Sequence, residues 1–424
     1  MLNLRILSAG ALLLSLPLFS ATAQDLGNSP YSRYGLGDLA PVGFLRNSGM
    51  AGVGVASSSA FQINELNPAL LPYNQLVTFE IAASAQLKRI ENQATSQQDG
   101  NATLRYLAFA FPVNKSWTTS IGLKPYSSVS YKILTEVPVI GDTASKARFL
   151  YQGSGGINEV YWANGFKVAK GLTAGVHASY LFGSINNETV SQVLSLTDVP
   201  QGNVIALTDR KTLKDVSLKG GLAYRTKIAD NLNLGLGITY QHLFAFNARQ
   251  LRTLTTSATS TEVDTLQPTI DEREITVPQP IQAGISFDNG KNWMVGLDFQ
   301  TQDWAKFEAF GEPAGTLGRS YRVALGGEIT PDPNSVTSYV KRITYRAGIS
   351  TGETPIKIAG TQLTEQQASF GFTLPTGRTG SVVNMAFVAG RRGTTDNGLI
   401  KESFYRFELG LSLSDKWFQR RQID

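Results

Sequence analysis

The 424-residue sequence contains no cysteine and only two histidines, and charged residues make up 17% of it. Without cysteine the chain has no disulfide scaffold, no thiol nucleophile and no cysteine-ligated metal site. The charged fraction lies below the roughly 25% that is typical of soluble domains. The net charge of +5 comes without a long basic block, which argues against nucleic-acid binding. Beyond the N-terminus no apolar run approaches the ~20 residues of a transmembrane helix, which excludes a helical membrane protein.

The N-terminus has the features of a secretory signal peptide. Arg5 supplies a positive charge, Ile6–Phe19 is apolar, and Ala21-Thr22-Ala23 forms a small-residue cleavage site. The sequence therefore predicts that residues 1–23 are a signal peptide and that the mature chain is exported. A buried N-terminal helix is the alternative interpretation.

From residue 75 onward the sequence alternates with a period of two. In Gln75–Arg89 the odd positions are apolar and the even positions are mostly polar or small. Gly171–Gly183 repeats the pattern, with apolar even positions and His177 among the polar odd ones. About 14 such runs follow one another, and this alternation is typical of strands whose two faces meet different environments.

The connections between the runs alternate in length. Short turns follow nearly every second run, and Asp288-Asn289-Gly290-Lys291 is a hairpin turn that tolerates positive φ. The other connections are predicted to be long polar loops: Glu91–Thr103, Gly141–Gly156, Asn186–Lys214, Asn247–Thr276 and Gly311–Arg319. Short turns at one end and long loops at the other are typical of outer-membrane barrels.

The fold class predicted is all-β: a transmembrane antiparallel β-barrel of about 14 strands over residues 75–418, followed by a polar tail, residues 419–424. A soluble propeller or jelly roll is the alternative, but it would need a very large apolar interior for so many amphipathic strands. In a membrane the apolar face meets lipid and the polar face lines the lumen, and closure leaves no unpaired edge.

Residues 24–74 lack the strand pattern. Their aromatic and apolar residues, such as Tyr31, Tyr34 and Phe44, argue against plain disorder, because disordered segments are poor in these types. We expect this segment to fold back and plug the lumen. A disordered periplasmic tail is the alternative.

Motifs at the two ends of the mature chain resemble a known family. They are Ser29-Pro30-Tyr31-Ser32-Arg33-Tyr34-Gly35, Asn67-Pro68-Ala69, and the stretches Gly390–Glu402 and Phe404–Phe418. With the export signal and about 14 strands, they resemble a FadL-like outer-membrane group of Bacteroidota, related to long-chain fatty-acid transport barrels.

The resemblance implies two candidate sites. Asn67, Pro68 and Ala69 would belong to a hatch inside the lumen, although Asn-Pro could equally start a turn before the first strand. Pro125 would mark an inward kink of the third strand that opens a lateral gate toward lipid. The alternative is a proline just beyond the membrane, where the strand enters a loop.

The function that this resemblance implies is passive uptake of small hydrophobic molecules across the outer membrane. A non-transporting accessory barrel of a secretion or outer-membrane protein assembly complex is the alternative, and a general porin is disfavoured by the plug. No enzymatic motif and no cofactor site is predicted. His177 is expected to line the pore, and Asp271-Glu272-Arg273-Glu274 to be a solvated loop. The expected partners are outer-membrane lipid and lipopolysaccharide, a hydrophobic ligand, and proteins that bind the long extracellular loops.

Overall fold

The computed structural model describes residues 28–243, 246–259, 262–310, 314–358, 360–377 and 380–416. The predicted signal peptide and the predicted tail, residues 419–424, lie outside the described residues. Within those ranges no helix is long and apolar enough to cross a bilayer.

Strands dominate the described chain, and its helices have three to six residues each. The strands are β1 (Asp38–Leu39), β2 (Val77–Glu91), β3 (Ser96–Asn114), β4 (Trp117–Val139), β5 (Asp142–Ala169), β6 (Leu172–Ser195), β7 (Pro200–Ala229), β8 (Leu232–Leu243), β9 (Phe246–Thr259), β10 (Glu262–Thr265), β11 (Thr269–Ile275), β12 (Ile281–Asp288), β13 (Trp293–Asp303), β14 (Arg319–Ile329), β15 (Thr344–Ile358), β16 (Thr361–Pro375), β17 (Val382–Arg392) and β18 (Lys401–Asp415). The helices are α1 (Leu45–Ser48), α2 (Tyr339–Arg342) and the 3-10 turns Pro30–Arg33, Pro68–Tyr73, Trp304–Lys306 and Asp396–Gly398.

The sheet closes into a barrel because β18 pairs with β2, from Lys401 opposite Glu91 to Asp415 opposite Val77. β8 and β9 both pair with β7 and together act as one broken wall strand. β11 pairs with β9 and β12 pairs with β8, so β11 and β12 together form a second broken wall strand. With these two composite strands, the wall has fourteen antiparallel strands, as predicted.

The predicted alternation is confirmed along the wall. On β6 the even-numbered Val176 and Tyr180 are 45% and 47% exposed, whereas Thr173 and His177 are buried. The apolar face therefore points outward and the polar face points into the lumen, as a barrel in lipid requires. His177 lies on the lumen side, as predicted.

Several predicted loops are strands instead. Residues 186–214 lie mostly within β6 and β7, and residues 247–276 lie mostly within β9, β10 and β11. The acidic cluster Asp271-Glu272-Arg273-Glu274 is likewise part of β11. At 3.3 Å per residue and about 45° tilt, the 30-residue β7 rises about 70 Å, more than twice a bilayer's hydrocarbon thickness. Beyond the membrane both faces of a strand are wet, so the apolar alternation that reveals strands disappears while the ladder continues.

The end of the barrel with short turns is called the periplasmic end, and the other the extracellular end. The N-terminal segment, residues 28–76, contacts inward-facing side chains of strands all around the wall. Examples are Glu80 on β2, Asp298 on β13 and Ser369 on β16. Only a segment inside the lumen can reach all of them.

Candidate functional site

The barrel wall is interrupted between β3 and β4. Their pairing runs from Asn114 opposite Trp117, at the periplasmic turn, to Leu107 opposite Leu123, and no ladder pair joins the described residues of these strands above that level. Seven residues of a tilted strand rise about 16 Å, roughly half of the ~30 Å hydrocarbon core. The opening between β3 and β4 therefore starts near mid-bilayer and faces the outer half of the membrane.

Both strands that border the opening are irregular at this height. On β4 a bulge falls between Pro125 and Ser127. On β3 the neighbouring residues Arg105 and Tyr106 are both buried, where its register with β2 shifts. Bulges bend a strand and increase its twist, and a proline has no N–H for the ladder. Pro125 thus lies within β4 at the border of the opening, and the strand continues beyond it to Val139. A role of Pro125 as a gate stays a prediction.

The first described residues of the chain cover the opening from inside. We call residues 28–40 the strap. Asp38 and Leu39 of β1 pair with Ser128 and Ser127 of β4, in the position that β3 occupies lower in the wall. Ala40 N–H donates to the Tyr126 carbonyl at 2.9 Å. The strap therefore completes the free edge of β4 with few hydrogen bonds.

The upper end of the strap is held in the same manner. Ser29 N–H donates to the Ser130 carbonyl at 2.8 Å, and Lys132 N–H donates to Asn28 Oδ1 at 3.1 Å. Toward β3, the Asn28 N–H donates to Asp99 Oδ2 at 2.6 Å. The strap is thus a thin element that lies between the two diverging strands.

A cavity of about 890 Å³ lies directly behind the opening. Its lining combines the strap with the strand edges at the opening, including Leu39, Leu104 and Leu123, and with inward-facing residues such as Ser84 and Phe404. Apolar and polar groups are mixed on its surface. The cavity is large enough for a small organic molecule, since ligand pockets typically span about 300–1,000 Å³.

An apolar cluster adjoins the cavity. Leu36 of the strap packs there with Trp304 and with buried wall residues such as Val129 and Leu181. Leu36 and Trp304 also line the cavity. The lumen beside the cavity therefore offers an apolar environment to a ligand.

The predicted hatch residues lie deep in the lumen, near the periplasmic half of the wall. Asn67 caps the 3-10 turn that starts at Pro68, because its Oδ1 accepts from Ala69 N–H at 3.0 Å. Its Nδ2 also donates to the Leu222 carbonyl of β7 at 3.2 Å. The tripeptide therefore starts a turn and also contacts the wall, so the two interpretations are compatible.

Three glycines in one row of the wall admit this turn. Gly165, Gly175 and Gly221 are ladder neighbours on β5, β6 and β7. A Cβ on Gly175 would lie 2.3 Å from the backbone carbon of Pro68. The close approach of the turn to the wall thus depends on the missing side chains.

Ion pairs anchor the lower part of the N-terminal segment. Glu65 Oε1 lies 2.6 Å from Lys124 Nζ and 3.0 Å from Lys219 Nζ. Burial alone would raise the pKa of Glu65, but the two lysines outweigh burial and hold the pKa below its usual range. Lys124 also reaches Glu159, which in turn contacts His177 at 3.1 Å. His177, predicted to line the pore, is therefore a buried member of this network.

Further anchors lie around the wall. Arg46 of α1 pairs with Glu328 at 2.6 Å, and Glu328 also accepts from Arg346 at 2.8 Å. Arg105 forms a buried ion pair with Glu408. None of these residues was predicted from the sequence. The available signal was a charged residue on the lumen face of a membrane strand, as at Lys219 or Glu408.

In the described part of the chain no group of three or more metal-ligating side chains is placed to hold a metal ion. Among the described residues, charged groups of the lumen such as Glu65, Arg46 and Glu408 form ion pairs with one another or with the wall. The arrangement thus consists of an anchored segment, an apolar cluster beside the cavity, and a strap-covered opening toward lipid.

Comparison with known proteins identifies the family. The model of the BamG family matches residues 6–424. The chain belongs to the BamG family. No curated protein matches this BamG-family sequence.

Solved structures with the same fold are similar to this BamG-family chain over most of its length. A toluene transporter of Pseudomonas putida, TodX, covers 91% of this chain and 100% of its own, with a TM-score of 0.59 and 15% identity. For the monoaromatic hydrocarbon channel CymD, the alignment covers 90% of this chain and 98% of that channel, with a TM-score of 0.56 and 15% identity. For a FadL homologue of Pseudomonas aeruginosa, it covers 90% of this chain and 100% of the homologue, with a TM-score of 0.56 and 11% identity. The fold is therefore that of FadL-type outer-membrane barrels, as the sequence motifs suggested, and these neighbours are described as channels and transporters rather than enzymes.

Proposed function

We propose that this BamG-family barrel lets small hydrophobic molecules cross the outer membrane passively, with the opening between β3 and β4 as their exit toward lipid. One observation carries the proposal: the cavity of about 890 Å³ lies directly behind an interruption of the wall at the height of the outer half of the bilayer. An apolar molecule that leaves the cavity there enters hydrocarbon without meeting water.

The two ways out of the cavity require different parts of the chain to move. A path to the periplasm would have to disrupt buried ion pairs such as Glu65–Lys219 and Arg105–Glu408, and breaking a buried pair costs about 3–5 kcal/mol each. Moving the strap breaks six hydrogen bonds with β4, at about 1 kcal/mol each, and separates Asp38 from Arg392. The lateral route therefore needs movement of the strap alone and leaves the anchored lower part of the N-terminal segment in place.

The similar solved structures support the class of cargo. TodX is described as a toluene transporter and CymD as a monoaromatic hydrocarbon channel. A compact apolar molecule also fits the mixed lining of the cavity and the apolar cluster that adjoins it. In this proposal, lipid surrounds the barrel, and the hydrophobic molecule is a transient ligand of the barrel.

Within this proposal, Pro125 keeps β4 apart from β3, and Asn67, Pro68 and Ala69 hold the hatch against the glycine row. Replacing Pro125 by Ala would restore a ladder donor and should lower uptake of an apolar tracer. Unchanged uptake would remove the gate role from Pro125.

The transport proposal is tested by filling the cavity. Ser84 points into the cavity beside Thr103, with 3.2 Å between their hydroxyl oxygens. Ser84→Trp should reduce entry of a fluorescent apolar tracer into vesicles that contain the purified barrel by at least tenfold. Ala83→Trp, one residue away on the lipid-facing side of β2, is the matched control and should leave entry unchanged. Equal entry for both variants would contradict transport through the cavity.

The accessory-barrel alternative has one observation in its favour. β7 and β9 extend far beyond the membrane and expose apolar side chains there, at Ile205 (45%), Leu207 (41%) and Leu254 (37%). Such a surface fits a protein partner. Purification in mild detergent, with mass spectrometry of bound proteins and apolar molecules, separates the two functions. An apolar molecule bound to a lone barrel supports transport, whereas a stoichiometric complex with an empty cavity supports the accessory role.

A further inference from the structure

Four adjacent strands change from apolar to polar along one ladder row on the outer face of the barrel. A single row of ladder partners crosses them: Arg89 on β2, Ser403 on β18, Arg391 on β17 and Gln366 on β16. Below this row the outward positions are apolar, as at Leu87, Tyr405 and Phe387, which are 68%, 65% and 46% exposed.

This row lies at the level of lipid headgroups. Arg89 follows Val77, the first residue of β2, by twelve positions, which corresponds to a rise of about 28 Å. The apolar band of outer-membrane barrels is about 25 Å tall. By the same measure Arg391, nine positions after Val382, rises about 21 Å, so the row spans the outermost hydrocarbon and its boundary with the headgroups on the extracellular side.

Positive charge is concentrated along the row. Arg89 and Arg391 are two strands apart, so their backbones are separated by about 10 Å. Lys401 adds a third cation. Among the described residues Glu91 is the one carboxylate that pairs with this group, at 3.1 Å from Arg89 Nε and 2.8 Å from Lys401 Nζ. Three cations and one anion leave a charge of +2 on the outer face.

Both guanidinium groups keep free donors toward the membrane. Arg391 uses Nε and one Nη to bond Gln366 Oε1, at 3.0 and 2.8 Å, and the Arg89 side chain is 54% exposed. An arginine has five N–H donors arranged to fit phosphate oxygens, so donors remain for a ligand.

An apolar hollow of about 850 Å³ lies directly below the arginines. Small residues form its floor, and larger apolar side chains form its rims. The floor includes Ala85, Gly100, Ala102, Ala368 and Ala389, and the rims include Leu87, Phe370, Phe387, Tyr405 and Phe407. Since the hollow lies on the outer wall within the bilayer, acyl chains are the molecules that reach it.

We propose that this surface binds a phosphate-bearing, acylated lipid of the outer leaflet, namely lipopolysaccharide, with its phosphate at Arg89 and Arg391 and an acyl chain in the hollow. The charge of the row complements the anionic headgroup, and the position of the hollow complements the chain. The site is separate from the cavity in the lumen and does not depend on transport. Because Gly100 and Ala102 belong to β3, the lipid would also brace the strand that borders the opening.

The test uses the full-length mature barrel in detergent and native mass spectrometry with purified lipid A as the probe. The Arg89→Gln, Arg391→Gln double variant should bind lipid A at least tenfold more weakly than the wild type. The matched control is the Arg249→Gln, Arg319→Gln double variant, which removes the same charge from side chains 59% and 71% exposed elsewhere. It should bind like the wild type.

Two further measurements distinguish the contribution of the lipid headgroup to binding from that of the acyl chain. Ala389→Trp fills the hollow and leaves both arginines unchanged. It should also weaken binding of lipid A. Dephosphorylated lipid A should bind the wild type as weakly as lipid A binds the charge variant, and inorganic phosphate should not compete. Equal losses in both double variants, undiminished binding of the dephosphorylated lipid, or displacement by inorganic phosphate would each overturn the proposal. Heat-modifiable migration on gels, a difference in mobility between unheated and heated samples, verifies that every variant is folded.

Discussion

Replacing Asp38 by Asn should loosen the strap without disturbing the wall. Asp38 Oδ1 accepts from Arg392 Nη1 at 2.6 Å, and Oδ2 lies 3.6 Å from Lys88 Nζ. Burial alone would raise the pKa of Asp38, but these two cations outweigh it and lower the pKa from 3.8 to about 2. At about 1.4 kcal/mol for each tenfold change in acidity, the ionised carboxylate stabilises the docked strap by about 2–3 kcal/mol. Asn keeps the shape and loses the charge, so the undocked fraction should rise about 60-fold.

The assay uses the absence of native cysteine. Ser32 of the strap is 2% exposed, so Ser32→Cys provides a single thiol that a maleimide reaches only when the strap leaves the wall. The alkylation rate should be about 60-fold higher with Asp38→Asn in the same chain. Asp198→Asn, in an exposed turn at the extracellular end, is the matched control and should not change the rate. An unchanged rate with Asp38→Asn, or the same rise with Asp198→Asn, would refute this reasoning.

The same carboxylate sets a pH dependence with a definite sign. Its pKa is lowered in the docked state, so its contribution is complete above about pH 4 and is lost as the pH falls from about 4 to about 2. The alkylation rate of Ser32→Cys is corrected for the pH dependence of the thiol–maleimide reaction itself. This corrected rate should rise as the pH falls from about 4 to about 2. In the Asp38→Asn variant the acceleration should be absent.

Two other changes test the lumen anchors and the membrane placement. Glu65→Gln removes the carboxylate that buried Lys219 and half-buried Lys124 share, so it should weaken docking of the lower segment by about 3 kcal/mol and raise ion conductance in planar bilayers. Glu136→Gln, in an exposed pair, should leave conductance unchanged. Leu222→Arg places a charge on the lipid face near mid-bilayer and should destabilise the folded barrel by about 2–4 kcal/mol in denaturant titrations, whereas Leu207→Arg, far above the membrane, should cost little. Similar costs for the two arginines would contradict the membrane placement.

The barrel itself was predictable because the cause of its sequence pattern is local. On Gln75–Arg89 or Gly171–Gly183 each residue faces either lipid or lumen, so a single sequence shows the period of two. The upper parts of β6 and β7 escaped prediction because both of their faces meet water. There the strands are held by ladder hydrogen bonds that leave no apolar signature.

The site was less predictable, because it depends on contacts between distant parts of the chain. Pro125 indicated one border of the opening, since a proline in a wall strand needs a break or bulge. The irregularity at Arg105 on the other border had no such signal. The partners of Glu65 could not be read from the sequence either, because Lys219 lies 154 residues away and only the folded wall brings them together.

The central claim, that apolar molecules leave through the strap-covered opening, is tested most directly by stapling the strap. Leu39 lies opposite Ser127 in the ladder, where Cα atoms are about 4.5–5.5 Å apart and a disulfide can form. In Leu39→Cys, Ser127→Cys, entry of an apolar tracer into vesicles should fall at least tenfold on oxidation and return on reduction. Ser179→Cys, Ser217→Cys joins β6 and β7 away from the opening and should transport in both states. Undiminished entry through the oxidised strap staple would contradict the account.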